Sequence, residues 1–305
     1  MAAATPSVGW IGTGRMGYQL ALRLLNAGYD VSAYNRTRAK AEPLAEFGRT
    51  VDDRDVVCVM VSADKDLEAV ISGPGGLLTS EALPKIIIDS STVSAEASAR
   101  VRGLVEDAGA QFVAAPVSGN PKVIGAGKIT VAASGPRPAF DEVEPLLAAW
   151  GRGVTYVGEG EVARLVKIAH NVFLGVVIQS LAEITVLAER GGVSRSAFLE
   201  FLNESVLGST FSRYKSPALV NLDFHPTFTS VLLRKDLQLG LAAGRDLGVP
   251  MPLAAATDML MAQVIDAGYT EDDFATLVLE QARRSGYEIE PENVLVDDGL
   301  APEEA

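Results

Sequence analysis

The chain has 305 residues, enough for two cores, and its 48% hydrophobic and 21% charged content is that of a compact globular protein. A formal charge of -13 makes nucleic acid and anionic membrane poor partners over the whole surface, though it permits a local anion pocket. Cys58 is the only cysteine, which excludes an internal disulfide, and its apolar surroundings from Val56 to Val61 assign it to core packing. The first residues lack a basic stretch followed by an apolar run, so a cytoplasmic location is expected.

The first predicted element is a strand over 8–11 that breaks into Gly12-Thr13-Gly14-Arg15-Met16-Gly17 and opens a helix. In such a loop Gly12 permits the tight turn, Gly14 lets backbone approach a pyrophosphate, and Gly17 packs the helix against the strand. Phosphate oxygens then meet the unpaired N–H groups of the helix N-terminus, where the helix dipole favours negative charge. Met16, Leu20, Leu24 and Ala27 continue at helical spacing, Gly28 ends the helix, and 29–34 reads as a second strand. NAD-binding loops usually place an acid after that strand to hold the ribose 2′-hydroxyl. Here the position is Asn35, followed by Arg36, Thr37, Arg38 and Lys40, and a guanidinium fork matches a 2′-phosphate. NADP(H) is therefore favoured over NAD(H).

Further strands are predicted at 55–61, 86–89, 111–115, 128–133 and 154–157, alternating with helices as in a doubly wound α/β sheet of Rossmann type. Ser62, Ser91 and Thr92 follow two of these strands and are candidate cofactor contacts, although Thr92 or Ser94 can equally cap the helix that runs to Asp107. Another helix opens at Pro138 and ends near Trp150. After the strand at 111–115, Ser118 and the backbone N–H groups of Gly119 and Asn120 can cradle a carboxylate.

From Glu161 the apolar spacing turns helical. A helix over 161–190, about 45 Å long, is followed by helices opening at Ser194 and spanning 228–247, 253–267 and 271–284. Lys167, His170, Asn171, Gln179 and Glu183 interrupt the apolar run of the long helix, so a buried helix is expected there and not a membrane span. Lys167, Asn171 and Gly175 share one face at i, i+4 and i+8. A lysine on so apolar a helix can act as general acid/base if burial lowers its pKa; Asn171 would donate or orient, and Gly175 would leave room. Lys235 by itself reads as a surface charge on an amphipathic helix. The domains are thus expected at 1–160 (NADP-binding), 161–287 (all-helical) and 288–305, an acidic and poorly ordered tail.

Taken together, these segments resemble the β-hydroxyacid dehydrogenase family from Val8 to about Arg284. The resemblance rests on the glycine loop, the segment Ala114 to Asn120, the pair Lys167 and Asn171, and the run Phe228, Leu232, Lys235, Asp236, Leu237. It implies that Lys167 is the general acid/base, that Ser118 and Gly119 bind a substrate carboxylate, and that Lys235 lies beside cofactor and substrate. Asn120 stands where the family usually has a second glycine, and Ala114 where it has aspartate, which bears on the choice of substrate. The expected activity is interconversion of a small hydroxy acid with its semialdehyde or keto acid. The rivals are an NADPH-dependent imine reductase and a non-catalytic NADP-binding partner protein. The long apolar helix is also expected to bury a subunit interface, in a homodimer or homotetramer.

Overall fold

The computed structural model describes residues 5–42, 44, 53–80 and 82–301. They form two compact units, one reaching to Lys167 and the other starting at Ile168.

In the first unit the order is β1 (Val8–Ile11), α1 (Arg15–Asn26), β2 (Val31–Tyr34), β3 (Val56–Val59), α2 (Asp64–Ser72), β4 (Ile86–Asp89) and α3 (Ala95–Asp107). There follow β5 (Gln111–Ala114), β6 (Val117–Ser118), α4 (Pro121–Gly125), β7 (Thr130–Ser134), α5 (Arg137–Ala148) and β8 (Gly153–Gly158). The strands make one sheet ordered β2-β1-β3-β4-β5-β7-β6, with β8 on β7. Strands β1 to β5 pair in parallel, whereas β7 runs antiparallel to β5 and β6. The central parallel strands β1, β3 and β4 are fully buried, as a sheet covered on both faces requires. Because β1 pairs with both β2 and β3, the chain reverses direction across the sheet at β1. The glycine loop leaves the carboxyl end of that strand, the place where open α/β sheets bind ligands. Cys58 is wholly buried there, and desolvation pushes its thiol pKa far up, in keeping with a packing role.

Helix α6 (Val162–Arg190) begins in the first unit and continues into the second, where α7 (Arg195–Glu204), α8 (Thr210–Asn221), α9 (Ser230–Asp246), α10 (Pro252–Asp266) and α11 (Leu277–Arg284) follow. Length and composition alone would let α6 cross a bilayer. The polar groups that interrupt it are spent on protein contacts, however: Asn171 on Asp236, and Gln179 on Glu183. That is the pattern of a core helix. In the second unit α6 and α9 approach closely, since a Cβ on Gly240 would lie 2.1 Å from Val172 Cγ2. The same unit contains a buried ion pair. Lys215 on α8 donates to Asp273 at 2.6 Å and to Thr227 at 2.9 Å, and its Nζ sits 4.0 Å from the Phe274 ring centroid.

Three expectations need correction. The predicted 271–284 helix starts later, as a 3-10 turn at Phe274–Thr276 leading into α11, because Asp273 is held by Lys215 and Thr227. Helix α8, interrupted by Pro217, was not anticipated; its N-terminus is closed by Ser209 and Ser212, a box without the usual Glu or Gln. The stretch after 288 is docked, not loose. Arg195, fully buried, binds the carbonyls of Val220 and Glu290, Glu292 accepts from the N–H groups of Arg195 and Ser196, and Asn221 pairs with Val294 in both directions. Residues 302–305 of that segment lie outside the described residues.

Candidate active site

The glycine loop is shaped by sterics that only glycine satisfies. Gly12 has φ +96°, and a Cβ there would lie 2.1 Å from the Met60 carbonyl oxygen. A Cβ on Gly17 would lie 2.0 Å from the Gly12 oxygen, which also accepts from Trp10 Nε1 at 3.0 Å. Gly14, by contrast, faces open space. It precedes α1, whose N-terminus has no side-chain cap and no acid in its first turn among the described residues. The buried Thr13 hydroxyl finds no partner among them either. Arg15 is exposed and Met16 half-buried at the helix entry. An open, uncapped helix start beside an unused hydroxyl fits a pyrophosphate.

Asn35 ties this loop to the next one, as its Oδ1 accepts from Thr13 N at 3.1 Å and its Nδ2 donates to the Thr37 carbonyl at 2.9 Å. The Arg36 side chain is 90% exposed and faces Asp66 at 3.6 Å, and Thr37 and Lys40 are exposed. The Arg38 side chain lies outside what the structure describes.

Ser62 is exposed after β3 and Thr92 half-buried after β4. Ser91 is enclosed: its hydroxyl donates to Asp89 Oδ1 at 2.6 Å and accepts from Val61 N at 2.9 Å. The cofactor contact expected of Ser91 is corrected accordingly, because its hydroxyl braces two loops from within. Of the two candidate caps for α3, Ser94 is the one used, accepting from Ala97 N.

In the loop after β5, Ser118 and Gly119 are partly exposed. Gly119 has φ +139°, and a Cβ there would lie 2.7 Å from Ile129 Cγ2, so a larger residue would displace the turn. The Asn120 side chain is turned onto the chain itself. It is 5% exposed and caps α4, with Oδ1 accepting from Val123 N at 3.0 Å, while its buried Nδ2 has no partner among the described residues.

On α6, Lys167 is half-buried and Asn171 is 5% exposed. Asn171 Nδ2 donates to Asp236 Oδ2 at 2.5 Å, and its Oδ1 lies 3.0 Å from His170 Nδ1. Lys235 Nζ sits 3.3 Å from the other Asp236 oxygen, without hydrogen-bond geometry. One buried carboxylate on α9 thus gathers Asn171 and Lys235, so Lys235 is more than a surface charge. Sequence reasoning gave Asp236 no role; an acid on a buried helix face was the signal available for it. Gly175 leaves room for Leu233 and Leu237 of α9, not for a ligand.

Residues 7–158 match the family described as the NAD binding domain of 6-phosphogluconate dehydrogenase, and residues 158–280 the one described as NAD-binding of NADP-dependent 3-hydroxyisobutyrate dehydrogenase. Glyoxylate/succinic semialdehyde reductase 1 of Arabidopsis thaliana is 29% identical over 279 residues, which are 89% of this chain and 96% of that protein. The cytokine-like nuclear factor N-PAC of Mus musculus is 30% identical over 275 residues, 88% of this chain but 50% of that protein. Among solved structures, a Salmonella typhimurium protein described as 3-hydroxyisobutyrate dehydrogenase shares the fold, with a TM-score of 0.80 at 24% identity, over 90% of this chain and 99% of that one.

Proposed function

The chain belongs to the β-hydroxyacid dehydrogenase family and is an oxidoreductase acting on CH–OH groups, and on that footing we propose that it is an NADP(H)-dependent enzyme interconverting a small hydroxy acid with its semialdehyde or keto acid. One observation carries the reading: α6 sets Lys167 a turn before Asn171, whose amide Asp236 locks in place. Bound NADPH supplies a hydride to the carbonyl carbon. The Lys167 ammonium gives its proton to the carbonyl oxygen, and in the reverse direction the amine takes the hydroxyl proton. With its Nδ2 tied to Asp236 and its Oδ1 3.0 Å from His170 Nδ1, Asn171 is fixed in orientation one turn from that ammonium. The Ser118 hydroxyl and the Gly119 N–H hold the substrate carboxylate. Arg36 meets the 2′-phosphate, and Asn35, lacking charge, does not repel it.

The test is NADPH and NADH oxidation against glyoxylate, succinic semialdehyde, methylmalonate semialdehyde, tartronate semialdehyde and cyclic imines. Lys167→Ala is expected to lower kcat by about 10²- to 10⁴-fold while leaving NADPH affinity nearly unchanged. Preserved turnover in that variant defeats the assignment of Lys167. Oxidation by imines alone would move the protein to the imine reductases, and oxidation by none of the panel to a non-catalytic role.

A further inference from the structure

The first turn of α6 is fastened to the sheet by a buried charge network that the mechanism above does not use. Arg164, 1% exposed, donates through Nη2 to Asp89 Oδ2, through Nη1 to the Ser91 carbonyl at 2.7 Å, and through Nε to the Ser98 hydroxyl at 3.0 Å. Asp89, wholly buried at the end of β4, receives the Ser91 N–H at 3.1 Å and the Ser91 hydroxyl at 2.6 Å on its other oxygen. Ser91 in turn takes the Val61 N–H, next to Ser62. A single set of bonds therefore joins the loop after β3, the loop after β4 and the start of α6. Neighbouring bonds add to it: Arg102 binds Glu161 and the Gly160 carbonyl, and Ser134 accepts from Ala163 N.

A buried ion pair is a poor source of net stability, since desolvation of both charges offsets their attraction and an apolar pair often does as well. What a guanidinium with three fixed acceptors does provide is geometry. It sets both the rotation and the axial position of the helix turn that bears it. Lys167 lies three residues on, about 4.5 Å along the axis and on a neighbouring face. We propose that Arg164 and Asp89 are positioning residues, holding Lys167 in register with the loops after β3 and β4. The inference rests on Lys167 being the proton donor proposed above.

Arg164→Met keeps the volume and removes all three donors, and Arg164→Lys keeps the charge for Asp89 but cannot span the three acceptors. Both are expected to lower kcat about 10- to 100-fold, the loss that follows a misplacement of about 1 Å, with NADPH Kd from fluorescence titration within about twofold. With 4-deuterated NADPH the isotope effect on kcat should rise to its full value, because the chemical step is what slows; a smaller folded fraction alone would leave it unmoved. In the cofactor-free protein, amide exchange over 162–170 should quicken at least tenfold, and the β1–α1 loop should be unaffected. If Arg164→Met does not fold, Arg164→Lys and Ser98→Ala carry the same comparison. A variant with wild-type kcat and isotope effect but a lower Tm overturns the proposal and leaves a structural staple. Absence of carbonyl turnover in the wild-type protein would instead refute the reading of Lys167 and this inference with it.

Discussion

Removing the Arg36 guanidinium should change coenzyme choice, and its size follows from the present geometry. The side chain is 90% exposed, and its pairing with Asp66 at 3.6 Å is of the kind that contributes about 0.2–1 kcal/mol. Exchanging Asp66 for a phosphate therefore costs little, while a hydrogen bond to a charged group contributes about 1.5–3 kcal/mol. The net is roughly 0.5–2.8 kcal/mol, so Arg36→Ala should weaken NADPH binding roughly 2- to 100-fold. NADH, lacking the 2′-phosphate, should bind the variant within about twofold of the wild type. Asp66→Asn should have the opposite sign, tightening NADPH by up to about fivefold, because the competing carboxylate is gone. Asn35→Asp would keep the acceptor for Thr13 N but lose the donor to Thr37 and add a like charge, shifting preference toward NADH. Energy transfer to the reduced nicotinamide gives the affinities directly, since buried Trp10 donates to the Gly12 carbonyl of the glycine loop. Equal losses for both coenzymes in Arg36→Ala, or tighter binding of NADH than NADPH by the wild type, would refute the argument.

In the second unit, Lys215→Met leaves Asp273 buried at 2% exposure without its cation, and should cost about 3–5 kcal/mol in urea unfolding; a loss under 1 kcal/mol would mean the pair is dispensable. The docked C-terminal segment gives a pH signature. Burial works against ionisation of Glu292, but donation from the Ser196 hydroxyl and from the Arg195 and Ser196 N–H groups, with the Arg195 charge, holds its pKa below the ordinary 4.5. Its contribution is then complete above that ordinary value and is lost as pH falls through the lower folded one. Glu292→Gln should accordingly flatten the acid side of the stability curve, and an unchanged curve would show that the carboxylate is not engaged. On α6, Phe173 and Leu187 are 69% and 71% exposed. If the chain is a homodimer or homotetramer through that helix, Phe173→Glu with Leu187→Glu should yield monomers in analytical ultracentrifugation, whereas an unaltered mass would place the interface elsewhere.

The parts of this protein that could be read from the sequence are those whose physical requirement is local. Each glycine of the loop was assigned a separate task, and the contacts separate in the same way: Gly12 by its positive φ, Gly17 by a backbone at 2.0 Å, Gly14 by open space. The strands at 8–11 and 86–89 and the long helix were equally legible, because strands covered on both faces and a long core helix write strongly apolar runs. Residues whose role depends on a distant partner were not. Asn120 stands where a glycine was expected and is a cap, Ser91 looked like a cofactor contact and its hydroxyl is a brace, and Gly175 makes space for leucines 58 and 62 residues away in the chain. Strand β6 is two residues long, too short for any alternation to register. The same reasoning explains why Arg164 escaped notice. A charge in the first turn of a helix reads as solvated, and only the meeting of β4, α3 and α6 shows it enclosed by Asp89, Ser91 and Ser98. Candidate groups for proton transfer can be picked out by type and spacing, but the bonds that fasten the helix bearing one are identified only by what they touch.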